Sequence, residues 1–441
     1  MNNVVPGLAP EVPLTLPVPV ERTLPNGLRV LLTRRPGVPL AEVRLSIPAA
    51  HADLAVADLL TAAIFSGTET ASMSEIARRL QGVGGALGAG ADPDRIAVSG
   101  NSLATGLPEL LEVLGDLLKA AEYPDGPLEV ERSRIIDGLS VAEQQPDFQV
   151  GRVLDARLWG DHPYGHQQPT ADEVAAVERA AVLALHAARL HPAGARLIIV
   201  GDIDPDATAA AVEKALGDWN GMGESGTGEP RRMEPLPDMA PGPLVLVDRA
   251  GSVQSAIRVA YPAVARTHPD NAAQHLANLI FGGYFSSRLV MNLRETKGYG
   301  YSPRSRVDHA PAGSLQLAAV DVATEVTGPA LAEVRAELRG MADNPPDAEE
   351  LDLARRYALG SVKLATATQS GVANYMSVLA ASGLPLSWLT EHSERLREVT
   401  PADIRRVAAE RLDPDRAVTV VLGDGAEIRE PLAAFGEVVA P

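Results

Sequence analysis

With no cysteine in its 441 residues, the chain has histidine, the carboxylates, arginine and tyrosine as its main means of doing chemistry. Disulfides, a thiolate nucleophile and Cys-ligated zinc are excluded at once. The nine histidines are His51, His162, His166, His186, His191, His268, His275, His309 and His392. His162 and His166 stand four apart, the spacing that on a helix would put two imidazoles on one face and let them share a metal ion. Pro163 and Gly165 between them forbid that helix, so the pair reads as a loop with polar side chains. No H-E-x-x-H, P-loop or G-x-S-x-G occurs, so the common hydrolase constellations are missing.

The bulk composition narrows the class further. Hydrophobic residues make up 46%, as in a folded globular protein, and the length calls for more than one core. The net charge of −18 is spread along the chain, and an acidic surface repels phosphate backbones, which argues against nucleic acid as a partner. The opening residues Met1 to Gly7 lack a basic region followed by an apolar run, and no segment reaches the roughly 18 apolar residues of a membrane helix. A cytoplasmic protein without a membrane partner is the expectation.

The elements that must position any site fall into two halves with one plan. The stretch 221–243 is rich in Gly, Pro and Glu and is expected to be a linker between domains 1–220 and 244–441. Before it, Gly27–Thr33 and Ala41–Ile47 read as strands, the second with period-two alternation, and Asp53–Phe65 reads as a helix stopped by Gly67. After it, Leu244–Val247 and Ser255–Tyr261 are the strands, and Asp270–Phe281 is the helix ended by Gly282-Gly283. Each half closes on a similar apolar strand, Leu197–Asp202 in one and Val418–Asp424 in the other. Amphipathic helices such as 107–121 and 328–341 lie between. Matches in the same order along the chain imply an internal duplication: an α+β protein of two homologous domains, each a mostly antiparallel sheet with helices on one face.

Specific motifs sharpen this plan. Arg22-Thr-Leu-Pro-Asn-Gly-Leu-Arg-Val30, His162-Pro-Tyr-Gly165 and Phe281-Gly-Gly-Tyr-Phe-Ser-Ser-Arg-Leu289, followed by Leu293-Arg-Glu-Thr-Lys-Gly-Tyr-Gly-Tyr301, resemble signatures of the M16 (pitrilysin/insulinase) peptidase family. The resemblance runs from about Arg22 to Asp424 and implies a LuxS/MPP-like metallohydrolase fold. Active members carry an inverted zinc motif, H-x-x-E-H, whose two imidazoles share a helix face while the glutamate activates the metal-bound water. The family's F-x-G-T is matched by Phe65-Ser66-Gly67-Thr68. Counting back from it places Asp58 at the first histidine, Thr61 at the general base and Ala62 at the second histidine. The downstream glutamate ligand falls on Gly138, with Asp137 beside it, and the family's substrate-edge asparagine falls on Gly88. One carboxylate without imidazole partners is not a zinc site, so no metal and no cofactor are expected in this chain.

The same resemblance assigns Arg294 and Tyr301 to a substrate-binding pair that, in the family, grips backbone carbonyls beside the scissile bond. A fixed cation and a phenol can polarise a carbonyl and stabilise charge developing on its oxygen. Some M16 peptidases are heterodimers in which one half-sized subunit supplies zinc and the other supplies this pair. The chain is similar to the second kind: no catalytic residue in cis, zinc only in a partner subunit bearing H-x-x-E-H, and a peptide as substrate. The alternative is a structural subunit like the respiratory-chain core proteins, which share this fold without proteolysis. Gly282-Gly283 permits close backbone approach, either to substrate or to the helix it ends.

Overall fold

The computed structural model describes residues 12–220 and 233–441. The first half forms a sheet from β1 (Val20–Thr23), β2 (Arg29–Arg34), β3 (Leu40–Pro48), β4 (Ala86–Asp92), β5 (Arg95–Leu103) and β6 (Arg196–Gly201), in the order β1-β2-β6-β3-β5-β4. The second half forms β7 (Leu244–Asp248), β8 (Gln254–Pro262), β9 (Arg304–Ala310), β10 (Gly313–Ala323), β11 (Val418–Gly423) and β12 (Val438–Val439), ordered β12-β7-β11-β8-β10-β9. The last five strands of each list correspond one to one, so the duplication read from the sequence is a duplication of topology. Both sheets are mixed. The returning strand, β6 or β11, is parallel to the first strand of its core and antiparallel to the second.

Local sequence explains the helices that matter here. The helix Leu54–Ala63 starts where the Asp53 carboxylate accepts the Val56 N–H, an N-cap at 3.1 Å, and it gives way to a 3₁₀ turn before Gly67. In the helix Leu107–Ala120, Leu110, Leu111, Leu114, Leu117 and Leu118 recur at helical spacing and are all buried. Each contributes about 1.5–3 kcal/mol of burial. In the second half the expected helix ends early: Asn271–Asn278 is α-helical and Leu279–Gly283 widens into a π turn. Gly282 and Gly283 make this possible. A Cβ on Gly282 would lie 2.9 Å from Ser305 Cβ on β9, and one on Gly283 would lie 2.9 Å from Asn278 Nδ2. The close approach is therefore to the chain's own helix and strand.

Each sheet is also covered on its other face, by a helix from the opposite half. The helix Pro146–Trp159 lies on β8 and β11, burying Val150, Leu154 and Leu158 against Ala256, Ala260 and Val420. Reciprocally, the helix Gln369–Ala381 lies on β3 and β6, burying Val372, Met376 and Leu379 against Ile198 and Val200. The reason is visible in β6 and β11, whose residues are almost all buried: strands covered on both faces need continuous apolar runs rather than alternation. The expectation of helices on one face thus gains a second layer, lent across the duplication.

An arginine on the corresponding strand of each half fastens the borrowed helix. Arg44 on β3 donates from Nη2 to Ser370 Oγ at 3.0 Å and from Nε to Asn374 Oδ1 at 2.9 Å, in the first turns of Gln369–Ala381. Arg258 on β8 donates to Asp147, in the first turn of Pro146–Trp159, and to Asp321 Oδ1 at 2.9 Å. Of the expected linker, residues 221–232 lie outside the described residues. The remainder, 233–243, has neither helix nor strand, and it is tied down by the buried Met233 and by the Leu236 N–H donating to Ala312 O at 3.0 Å.

Candidate functional site

The positions expected to have lost a metal lie on two helices in contact, Leu54–Ala63 and Asp125–Ala142. Thr61 is buried, and its hydroxyl donates to the Asp58 backbone carbonyl at 3.1 Å, which consumes the only proton that it could offer. The Asp58 carboxyl has no hydrogen bond or ion pair among the described residues, and burial raises its pKa from 3.8 to about 6. Ala62 offers no donor atom. Gly138 is exposed on the second helix, with nothing within 4 Å of where a Cβ would stand, and Asp137 beside it is exposed as well.

The fold therefore brings the two helices together, but a single carboxylate with a raised pKa does not fit a zinc ion, which wants several N, S or O ligands. No group of three or more His, Asp or Glu side chains able to hold a metal occurs among the described residues. The other histidine pair is spent locally, as the loop reading expects. His162 Nδ1 accepts the Tyr164 N–H at 3.1 Å, closing a 3₁₀ turn, and His166 Nε2 lies 3.1 Å from Glu173 Oε2. Gly88 sits on β4, the edge strand of the first sheet, exposed and with open space where a side chain would be. Such an edge presents unpaired backbone N–H and C=O groups to which an extended peptide can add.

The second pair is brought together. Arg294 lies in the turn Met291–Thr296, which is held from below by the buried Leu293. From the side it is held by Asn292 Nδ2, which donates to Glu333 and Glu337 at 2.9 and 2.7 Å, and by the Lys297–Glu333 ion pair at 3.0 Å. The chain then reverses. Gly298 adopts φ +66°, and Gly300 passes so close to the Asp321 carbonyl that a Cβ would lie 2.5 Å from it. That reversal carries Tyr301 back over Arg294, whose Cζ is 4.8 Å from the Tyr301 ring centroid. On the same guanidinium lies Phe285, at 4.7 Å.

Tyr301 is 78% exposed and Phe285 64% exposed, a rare condition for aromatic rings in a folded surface. Arg294 touches one acid, its neighbour Glu295, at 3.1 Å and half open to solvent. The arrangement is a cation in contact with two solvent-facing rings. Its N–H fork stays available for a carbonyl or carboxylate, and a phenol hydroxyl stands beside it. Phe285 carried no role in the sequence reading. The signal was there, in an aromatic that follows a Gly-Gly turn at a point where the helix has ended and cannot bury it.

Comparison with known proteins follows this geometry. Residues 29–169 match the family description "Insulinase (Peptidase family M16)", and residues 176–357 match "Peptidase M16 inactive domain". The chain is 27% identical over 320 residues to an uncharacterized zinc protease of Mycobacterium tuberculosis, which covers 71% of this chain and 72% of that one. To an uncharacterized zinc protease of Streptomyces coelicolor it is 24% identical over 413 residues, 90% and 88% of the two chains. Among solved structures, the peptidase M16 inactive domain from Pseudomonas fluorescens superposes with a TM-score of 0.83 at 24% identity, covering 92% of this chain and 98% of that one. A protease from Helicobacter pylori superposes with a TM-score of 0.85 at 19% identity, covering 92% and 100%. None of the helices among the described residues is long and apolar enough to cross a membrane.

Proposed function

Because the chain belongs to the M16 (insulinase) peptidase family and lacks that family's catalytic motif, we propose that it is the non-catalytic subunit of a heterodimeric zinc peptidase, working in the cytoplasm. Its second half binds peptide beside a partner subunit that carries H-x-x-E-H and the zinc. The observation that carries this reading is the asymmetry between its two sites. Of the positions Asp58, Thr61, Ala62 and Gly138 only Asp58 keeps a carboxylate, and no imidazole or general base remains, while Arg294 and Tyr301 are in contact on an exposed face.

A residue pair serving only the fold would be buried or committed to a strong acid partner, as Arg288 is to Glu350 at 2.6 Å. Arg294 instead lies against two exposed rings and meets only its half-open neighbour Glu295, through Nε, which orients it while leaving its terminal N–H groups for a ligand. In the assembled enzyme, zinc held by the partner's H-x-x-E-H would supply the Lewis-acid chemistry at the scissile carbonyl. Arg294 and Tyr301 hold the neighbouring backbone carbonyls in register, and the preorganised donors stabilise charge on them.

The test is co-expression with an M16 subunit bearing the intact zinc motif. The pair should co-purify and cleave peptides, whereas this chain alone should cleave nothing and Arg294→Ala should lower the rate with the partner still bound. A complex whose rate ignores Arg294 would leave the purely structural subunit as the better reading.

A further inference from the structure

The second half contains a polar cluster that the peptide-binding reading does not use. It lies where the loop 264–270 meets the helix Trp388–Glu398, and none of its residues belongs to the 285–301 stretch. Trp388 stacks on His392, with ring centroids 4.5 Å apart and planes 10° from parallel. The guanidinium carbons of Arg266 and Arg395 stand 6.0 and 5.5 Å from the same Trp388 ring. His392 Nε2 is 3.1 Å from His275 Nδ1 on the helix Asn271–Asn278.

Five buried nitrogens here have no hydrogen-bond partner among the described residues: Arg266 Nε, Arg395 Nε and Nη2, Trp388 Nε1 and His392 Nδ1. Trp388 is 5% exposed and His392 4%, so water does not reach them freely. Neither arginine forms an ion pair or a hydrogen bond with any described residue.

That is unusual in this molecule. The chain carries a net charge of −18, and several of its other poorly exposed arginines find carboxylates, among them Arg258 with Asp147 and Asp321, Arg288 with Glu350 and Arg79 with Glu109 and Asp116, while Arg411 shares the lack with a single buried Nε. The imidazoles do not offset the charge, and they make a cation unwelcome. Burial, and then the positive neighbours, hold His275 at about 4 and His392 at about 3, so both are neutral near pH 7. Guanidinium does not surrender its proton in a protein. The Trp388 ring favours positive charge near its face but carries no negative charge to neutralise it.

We propose that this cluster is a binding site for an oxyanion, a carboxylate or phosphate group, taken by the guanidinium forks of Arg266 and Arg395 with the Trp388 N–H as a third donor. Paired N–H forks match the two oxygens of either group, and the buried, unpartnered indole N–H supplies a neutral donor. Trp388 also belongs to the apolar cluster that joins β6 of the first half to Val372 and Met376 of the second. An anion at this point therefore firms the seam between the halves as well as filling the site.

The test uses the full chain in a chloride-only buffer, titrated with inorganic phosphate in one arm and N-acetylglutamate in the other, and read by calorimetry and by melting temperature. Saturable binding with a rise in melting temperature is expected in at least one arm, and the responding arm identifies the source of the oxyanion. Arg395→Gln and Arg266→Gln should each weaken binding at least tenfold. Trp388→Phe, which keeps a stacking ring and removes only the N–H, should weaken it by about three- to tenfold.

A second measurement guards against variants that fail to fold. Without phosphate or N-acetylglutamate, Arg395→Gln should leave the melting temperature unchanged or higher, because an unpaired charge is removed, while Arg288→Gln should lower it. No saturable response in either arm, a response that survives both arginine variants, or an Arg395→Gln loss as large as that of Arg288→Gln would each overturn the proposal.

Discussion

Tyr301 separates a residue that acts on the substrate from one that merely props its neighbour. The ring contributes to Arg294 through a cation–π contact at 4.8 Å, and at 78% exposure such a contact is worth about 0.5–1 kcal/mol. The hydroxyl makes no hydrogen bond among the described residues, so nothing in the isolated chain needs it. Tyr301→Phe should accordingly leave folding stability within about 0.5 kcal/mol of wild type, as expected for an exposed position outside any network. In the complex with a zinc-bearing partner, the same change removes a donor to a substrate oxygen, and removing such donors lowers kcat by roughly 10²–10³ in water-excluded sites. On the proposed function, Tyr301 would be excluded from water only with substrate and partner closed over it, so a fall of about 10- to 100-fold in kcat/KM is expected. Tyr301→Ala should fall further, by the roughly two- to fivefold that the lost stacking is worth. The assay is steady-state cleavage of a quenched fluorescent peptide by the reconstituted pair, with sedimentation to show that the partner stays bound. If Tyr301→Phe cleaves at the wild-type rate while Tyr301→Ala is a few-fold slower, the phenol is a prop for Arg294 and the assigned role is wrong.

Three further outcomes follow from the geometry. Arg258→Met should cost about 2–3 kcal/mol in denaturant titration. The usual penalty for breaking a buried pair is moderated here because Asp147 and Asp321 are 66% and 38% exposed and can rehydrate. A double-mutant cycle with Asp147→Asn should show coupling of about 1 kcal/mol, and additive effects would deny that this arginine fastens the borrowed helix. Asp58, raised from 3.8 to about 6 by burial, keeps its proton in the folded chain at pH values where the unfolded chain has released it. Stability should therefore fall as pH rises through that window and stay lower above it, and Asp58→Asn should flatten the fall and gain about 1–2 kcal/mol at pH 8 once solvent screening is allowed for. Identical pH profiles for the two proteins would contradict the desolvation argument. Finally, Asp58→His, Ala62→His and Gly138→Glu made together should let the purified chain retain one equivalent of zinc, since the space at Gly138 is open; a metal-free triple variant would show the counted register to be mistaken.

Much of the fold was legible because the relevant physics is local. The alternation in 41–47, the cap at Asp53 and the apolar repeats of 107–120 specify their elements without reference to anything distant. The duplication was legible because order along the chain survives folding. What sequence order could not show was the exchange of helices between halves, although the unbroken apolar run of β6 hinted at two covered faces. The π turn at Leu279–Gly283 was likewise hidden, since it depends on how closely β9 passes Gly282.

The sequence by itself determined which donor atoms are missing: whatever the fold, Thr61, Ala62 and Gly138 cannot supply an imidazole or a carboxylate, and one aspartate cannot replace them. It also supplied Arg294 and Tyr301 in a recognisable signature. Only the tertiary structure decided that the two meet, that Phe285 joins them, and that two other arginines share a buried tryptophan without an ion pair among the described residues. The physical reason is the range of the forces involved. Donor chemistry belongs to a residue, but whether a charge is paired depends on which distant segments the packed core brings within a few ångströms of it.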